Sequence, residues 1–344
     1  MASQRTLTDE TVQLGPFTLP RLWNGLWQLS SNAWGSAPST KIRSQMLAYA
    51  RQGFIAFGQY ADHYGSSEVL FGQFKKTLSE GETAFGATKW CIFRPTKPTR
   101  QIVEAAVQER LDRMQCDSVD LLQFHWQNYD DDGYLTALHH LRDLQHEGKI
   151  SAIGLCNFDS ARTDEICQEL GPGAIVCNQV QFSLVDVRPL YGMAGVCERH
   201  NVKLLTYGTL CGGFLADRWL NEPQPEHYAG NLTPSQRKYL DMILKAWGTW
   251  ALFQELLSTL RAIGDRHGAV SIANVATRWV LDHSFVGAVI IGTRLGISDH
   301  TGDNRKVSTL RLTKEDFQDI ERLLRKSNGA VLMKTIGDCG AEYR

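Results

Sequence analysis

Short apolar runs alternate with longer helical patterns along most of the chain. The runs lie at 21–29, 54–57, 83–90, 118–126, 150–157, 174–182, 202–208 and 286–292. Most are continuous rather than alternating, which is typical of parallel strands covered on both faces. The segments between them, such as 41–53, 99–115 and 134–148, place apolar residues at helical spacing. Eight strand–helix units of this kind predict an α/β fold, a (β/α)8 TIM barrel.

An open doubly wound sheet is the alternative fold. It would require a GxGxxG turn after the first strand, and "NGLWQLSS" (24–31) is not such a turn. Residues 214–240 contain Pro and Gly, and we interpret them as a long loop over the barrel mouth, followed by C-terminal helices. We expect a single domain with its core at about 20–326 and a tail of unclear role at 327–344.

Composition narrows the class of protein. The 344 residues carry a formal net charge of -1, which gives no electrostatic footprint for nucleic acid or an anionic membrane. None of the eight cysteines lies in a CxxC pair or at metal-ligand spacing, so we expect reduced thiols and no metal site. The N-terminus lacks the apolar region of a signal peptide, and no stretch of about 18 apolar residues is present. We therefore expect a cytoplasmic protein.

Polar side chains stand at the ends of six successive apolar runs, where a barrel carries its chemistry. They are Tyr64, Lys89, His125, Asn157, Gln179 and Tyr207. The ordinary pKa of a tyrosine, about 10, is too high for easy proton exchange near neutral pH. A nearby ammonium favours the phenolate and lowers that pKa.

A tyrosine–lysine pair of this kind can protonate a carbonyl oxygen while a hydride reaches the carbonyl carbon. A histidine beside the pair can position the oxygen by a hydrogen bond. No side chain supplies a hydride, so the pattern predicts a redox cofactor.

The motifs around these residues resemble those of the aldo-keto reductases, over about residues 20–326. They are "ADHYGSSE" (61–68), "ATKW" (87–90), "LDRMQCDSVDLLQFHW" (111–126), "GKISAIGLCNF" (148–158), "NQVQFSL" (178–184) and "IIGTRLGISDHTGDN" (290–304). Each motif alone is modest, but together they are specific. Cys156 stands where the family usually has serine.

The resemblance implies NADP(H) as hydride carrier, bound across the barrel mouth. It implies Tyr64 as proton donor, Lys89 as its pKa-lowering partner and His125 as the residue that orients the substrate. The cofactor residues that it implies are Asn157 and Gln179 for the carboxamide, Tyr207 for the nicotinamide ring, Leu210, Gly212 and Gly213 for the pyrophosphate, and Arg294, His300, Asp303 and Asn304 for the adenosine end. A guanidinium at Arg294 suits a 2′-phosphate, which favours NADP over NAD.

One expected carboxylate is missing from the motif. The family has an aspartate at the end of the second strand, which pairs with the lysine, but this chain has Gly58 or Gln59 there. Asp62 does not replace it by spacing. A buried lysine without a counter-ion has its pKa lowered by desolvation, so we expect the help it gives to Tyr64 to weaken.

Three functions remain open from the sequence. The first is an NADP(H)-dependent oxidoreductase that interconverts a carbonyl and an alcohol. The second is a non-redox acid–base enzyme, such as an isomerase, dehydratase or cyclase, and the third is a regulatory cofactor-binding subunit. We expect Trp27, Trp126 and Gln59 to contact a small, apolar or aromatic substrate. The sequence does not indicate the oligomeric state or the direction of reaction.

Overall fold

Eight parallel strands close into a barrel in a computed structural model, which describes residues 10–61, 63–130, 132–227, 230 and 232–344. The barrel strands are β3 (Leu22–Gly25), β4 (Ala56–Gly58), β5 (Phe85–Ile92), β6 (Val119–Trp126), β7 (Ile150–Cys156), β8 (Cys177–Gln181), β9 (Lys203–Tyr207) and β10 (Val286–Gly292). Strand β10 pairs with both β9 and β3, which closes the sheet. The predicted α/β barrel is confirmed.

Helices lie around the barrel, most of them on its outer face. They are α1 (Ser39–Arg51), α2 (Ser67–Lys75), α3 (Arg100–Met114), α4 (Gly133–His146), α5 (Ser160–Leu170), α6 (Met193–His200), α7 (Pro234–Asp241), α8 (Trp250–Arg266), α9 (Ile272–Leu281), α10 (Thr301–Asn304), α11 (Lys314–Leu324) and α12 (Leu332–Thr335). Side-chain oxygens cap several N-termini, as Thr99 does for α3 and Thr249 for α8. None of the described helices combines the length and the apolarity needed to cross a bilayer.

An antiparallel hairpin, which the sequence analysis did not predict, precedes the barrel. Its strands β1 (Thr11–Leu14) and β2 (Phe17–Pro20) meet at a turn where Gly15 has a positive φ of 57°. Leu14 and Leu19 are buried in the same apolar cluster as barrel residues such as Trp23. The hairpin therefore seals the N-terminal end of the barrel, so a ligand site has to lie at the other end.

In the predicted loop 214–240, the described residues 214–227, 230 and 232–240 are more ordered than expected. They contain a short 3-10 helix, Asp217–Trp219, and most of α7. A capping box begins α7, in which the Thr233 hydroxyl and the Gln236 side chain each bond the other residue's backbone N–H. The segment still borders the C-terminal ends of the strands, but helix α7 presents fixed side chains to them.

Candidate active site

The barrel interior changes from apolar to polar toward the C-terminal ends of its strands. In β5, Ala87 belongs to the interior apolar cluster, and Lys89 lies two residues further on the same face. In β6, Leu121 belongs to that cluster, and Gln123 and His125 follow it on the same face. Strand alternation thus delivers polar groups to one end of the barrel.

Lys89 lies directly beside Tyr64. Its Nζ is 5.4 Å from the centroid of the tyrosine ring. The lysine is only 2% exposed, and within the described residues its Nζ makes no hydrogen bond. Burial lowers the pKa of Lys89 below its ordinary value. The two side chains expected to pair are therefore close together, and in the described part of the chain the amine has no hydrogen-bonded acid.

No carboxylate of the described chain pairs with Lys89 Nζ. The buried acid Glu68 faces the outer side of β5, where its carboxylate accepts hydrogen bonds from Thr88 Oγ1 and from Arg113 Nε at 2.6 Å. Burial raises the pKa of Glu68, and these hydrogen bonds partly offset that effect. Glu68 thus interacts with the helix layer outside the barrel.

The end of β4 carries the two residues that the sequence analysis assigned to the expected acidic position. Gly58 is the last residue of β4, and Gln59 follows with a positive φ of 55° and lines the cavity. Gln59 Oε1 lies close to Gly25, since a Cβ added to Gly25 would be 3.1 Å from this oxygen. Asp62 lies outside the described residues.

His125 is held as a neutral imidazole. It is 6% exposed, and burial, together with the charge of Lys89, lowers its pKa to about 3. Its ring meets Phe93 edge-on at 6.2 Å and Tyr343 edge-on at 5.9 Å. At neutral pH this side chain can donate one hydrogen bond without carrying charge.

Asn157 and Gln179 present complementary halves of an amide-binding pair. Asn157 Oδ1 accepts from Tyr207 OH at 2.9 Å, which directs the Nδ2 donor away from that bond. Gln179 Nε2 donates to Gln123 Oε1 at 3.0 Å, and Gln179 Oε1 faces the thiol of Cys156 at 4.0 Å. One donor and one acceptor are thus fixed in orientation, as a carboxamide ligand requires.

The Cys156 thiol beneath this pair is unreactive. It is fully buried, and burial raises its pKa to about 11, although Lys89 opposes the shift. The thiol therefore stays protonated near neutral pH.

Two residues that the sequence analysis missed extend the polar network. Tyr207 OH lies 3.0 Å from Tyr343 OH, and Lys238 Nζ donates to Tyr343 OH at 3.0 Å. Neither Lys238, on α7, nor Tyr343, in the tail, stands at a strand end, which is where candidate residues were sought. Their pairing spans more than a hundred residues and leaves no local signal in the sequence.

The turn after β9 is a glycine loop beside α7. Gly212 and Gly213 both have positive φ, at 65° and 90°. A Cβ on Gly212 would lie 3.0 Å from the backbone of Ser235, so the loop can approach α7 closely only without a side chain there. Leu210 lines the same cavity. The three positions expected at the pyrophosphate thus form one backbone surface.

The positions expected at the adenosine end also border this cavity. Arg294, His300, Asp303 and Asn304 all line it, and Arg294 is exposed. The carboxylate of Asp303 is already engaged, because its Oδ2 accepts from Ser271 Oγ at 2.6 Å. Arg294 is therefore the residue best able to meet an additional anionic group here.

A single cavity of about 1210 Å³ joins these groups. Trp27, Trp34 and Trp219 contribute aromatic wall, and Gln59 also lines it. The expectation for Trp126 needs correction, because this residue is 1% exposed and does not line the cavity. Strand alternation points it to the helix side of β6, opposite to His125.

Comparisons with known proteins agree with this arrangement. A sequence model described as the aldo/keto reductase family matches residues 21–325. Aldo-keto reductase YhdN of Bacillus subtilis (strain 168) is 24% identical over 325 residues, 88% of this chain and 89% of that protein. The NADH-specific methylglyoxal reductase of Escherichia coli (strain K12) is 24% identical over 297 residues, 80% of this chain and 86% of that protein.

Solved structures show the same fold. The glycerol dehydrogenase AKR11B4 of Gluconobacter oxydans superposes with a TM-score of 0.72 at 22% identity, covering 96% of this chain and 97% of the other. The thermostable aldo-keto reductase Tm1743 gives a TM-score of 0.68 at 21% identity, covering 91% and 99%. The family match spans nearly the whole barrel and every motif described above. This chain is an aldo-keto reductase-like enzyme and belongs to the aldo/keto reductase family.

Proposed function

We propose that the protein is an NADP(H)-dependent oxidoreductase that interconverts a carbonyl and an alcohol on a small substrate with an apolar or aromatic body. Family membership implies carbonyl–alcohol chemistry and does not favour the non-redox alternative. The observation that carries the proposal is the buried Lys89 amine, 5.4 Å from the Tyr64 ring and without a hydrogen bond to any described residue, at a cavity wide enough for cofactor and substrate.

The residues of the mouth fit a nicotinamide cofactor. Asn157 Nδ2 would donate to the carboxamide oxygen and Gln179 Oε1 would accept from its amino group, as their fixed orientations allow. The ring of Tyr207 and the backbone at Gly212 and Gly213 would hold the nicotinamide and the phosphates. When bound, this cofactor supplies the hydride that no side chain can provide.

Tyr64 is the proposed proton donor to the substrate oxygen. The positive charge of Lys89 favours the phenolate of Tyr64 and so makes its proton easier to release. Neutral His125 donates a hydrogen bond that places the same oxygen between the two groups. Burial of Lys89 reduces the fraction of charged amine, so the activation of Tyr64 is weaker than a lysine hydrogen-bonded to an acid would give.

Reduction of an aldehyde panel, followed by loss of NADPH absorbance, tests the proposal. Tyr64→Phe should lower kcat by roughly 10²–10⁴-fold, the usual worth of a general acid. Tyr191→Phe is the matched control, because that tyrosine is 42% exposed and does not line the cavity. Equal activity in both variants would remove Tyr64 from the mechanism.

Arg294 is the proposed determinant of NADP preference. It is the exposed cation at the adenosine end, and guanidinium groups bind phosphate bidentately. Arg294→Gln should lower the ratio of kcat/KM for NADPH to that for NADH by about 10-fold or more, since a hydrogen bond to a charged group contributes about 1.5–3 kcal/mol. An unchanged ratio would mean that another residue determines the cofactor preference.

The cytoplasmic location stays a prediction.

A further inference from the structure

Lys238 places a second ammonium in the cavity, away from Lys89. Its Nζ lies 5.7 Å from the ring centroid of Tyr207, 5.5 Å from that of Tyr239 and 5.3 Å from that of Tyr343. The three rings present their negative faces to the cation, and the charge of Lys238 also acts on the carboxylate of Glu342, whose pKa it helps Arg188 to lower against the effect of burial. The Lys238 side chain is therefore fixed in direction by α7 and by its aromatic surroundings.

The ammonium of Lys238 has unused hydrogen-bond capacity. It carries three donors, and the only hydrogen bond that the described residues offer it goes to Tyr343 OH. None of the described carboxylates forms an ion pair with it. Glu342, the adjacent acid in the tail, is bonded by Arg188 at 2.8 Å, and Asp217 is bonded by Arg261 at 2.5 Å.

The other two acids that line the cavity, Asp303 and Glu222, do not form an ion pair with Lys238 either. Asp303 accepts from Ser271 and pairs with Lys306 at 3.2 Å, while Glu222 is exposed at the rim. Acidic groups lining the cavity are thus paired or solvated, and none of those in the described residues accepts a hydrogen bond from Lys238 Nζ. A partly buried cation of this kind favours an anionic ligand.

Tyr343 links this cation to the reacting end of the cavity. Its ring meets the ring of His125 edge-on at 5.9 Å and an angle of 89°. Its hydroxyl joins Lys238 to Tyr207, whose hydroxyl in turn donates to Asn157. One aromatic ring therefore separates the free ammonium from the imidazole that orients the substrate.

We propose that Lys238 and Tyr343 form a subsite for a substrate carboxylate, so that the enzyme acts on carbonyl compounds with an acid group remote from the carbonyl. This inference rests on the proposed function and names its substrate class. The carboxylate accepts from Lys238 Nζ, and it accepts from Tyr343 OH once this hydroxyl turns its one proton from Tyr207 to the ligand. The carbonyl lies at His125 and Tyr64. The tryptophan walls of the cavity contact the apolar body between the two ends.

A role for Lys238 at the cofactor pyrophosphate is the competing explanation. The glycine loop has a cation of its own, because Arg218 Nη2 lies 3.4 Å from the position of a Cβ on Gly213. Lys238 instead faces Tyr343 and Tyr207, on the side that leads to His125. The geometry favours the substrate end.

Two aldehydes of similar shape test the subsite, 4-carboxybenzaldehyde and 4-methylbenzaldehyde. The ratio of their kcat/KM values should fall about 10-fold or more in Lys238→Gln, chiefly through KM, and in the same direction in Tyr343→Phe. Lys245→Gln is the control, since Lys245 follows Lys238 in the chain, its side chain is 75% exposed and it pairs with Asp241. The subsite proposal is wrong if kcat/KM falls equally for both aldehydes in Lys238→Gln. It is also wrong if this variant binds NADPH more weakly while the ratio of the two kcat/KM values is unchanged.

Equilibrium binding of benzoate separates this inference from the proposed function. The wild-type protein with NADP⁺ should bind benzoate in calorimetry, and Lys238→Gln should bind it about 10-fold more weakly. If no aldehyde is reduced but this difference persists, the redox proposal fails and the subsite stands. If benzoate binds the two proteins equally, the subsite is wrong whatever the activity.

Discussion

Replacing Arg188 with methionine should destabilise the protein by about 3–5 kcal/mol, the usual cost of removing one partner of a buried ion pair. Arg188 is 1% exposed and forms bonds to Asp186 Oδ1 and Oδ2 at 2.8–3.2 Å and to Glu342 at 2.8 and 2.9 Å. It also donates to the Asp338 carbonyl at 3.1 Å. The variant leaves the Asp186 carboxylate buried, with Gln181 Nε2 as its remaining side-chain donor at 2.8 Å.

The same change should weaken substrate binding, because Arg188 anchors the tail. We call the ion pairs of Arg188 with Asp186 and Glu342 the clamp. Glu342 precedes Tyr343, so loss of the clamp frees the Tyr343 phenol that lies against His125. We expect kcat/KM for 4-carboxybenzaldehyde to fall in Arg188→Met. Glu342→Gln keeps the pair between Arg188 and Asp186, so it should lose less stability while it shows the same change in substrate use.

Equilibrium urea denaturation measures the first quantity and steady-state kinetics the second. Arg100→Met is the matched control, because Arg100 pairs with Glu147 at 2.7 Å while its side chain is 33% exposed. Exposed pairs contribute about 1 kcal/mol or less, so this variant should stay within that range. A loss below about 1 kcal/mol in Arg188→Met would refute the view that the buried clamp holds the tail.

Three further variants test individual charged groups. Lys89→Met should raise the free energy of unfolding at neutral pH, because burial lowers the pKa of Lys89 and a charged amine is costly there. The gain should shrink as the pH rises toward 10.5, where the amine is neutral in the unfolded chain as well. If urea denaturation shows no gain at neutral pH, this reasoning is wrong. Gln59→Asp should keep or raise reductase activity by compensating that ammonium, whereas a sharp fall would show the account of the missing charge to be wrong. Burial opposes ionisation of Asp316, but hydrogen bonds from Arg266 and His267 lower its pKa to about 2. Asp316→Asn should therefore remove the part of stability that is present above pH 3.8 and lost as pH falls toward 2, which acid titration of unfolding measures.

The strand ends were the most predictable part of the site. Continuous apolar runs identify buried parallel strands, and a barrel brings the ends of all its strands to one face. Lys89 and His125 could be placed together on this basis, although they lie in different strands. The same rule failed for Trp126, because a position near a strand end does not reveal which face of the strand the side chain takes.

Contacts between distant segments could not be predicted. The clamp between Arg188 and Glu342 and the hydrogen bond between Lys238 and Tyr343 each join residues more than a hundred positions apart. Neither pair creates a local periodicity or a turn signal. The N-terminal hairpin was missed for another reason, since each of its strands has only four residues and gives a very short alternating pattern.

The hairpin at the base of the barrel has a consequence for ligand traffic. With Leu14 and Leu19 sealing that end, every molecule must come and go by the same opening. If Asn157 and Gln179 hold one ligand and Tyr343 contacts another, as proposed, both would have to pass the same opening. Saturation with one of the two should then slow the exchange of the other.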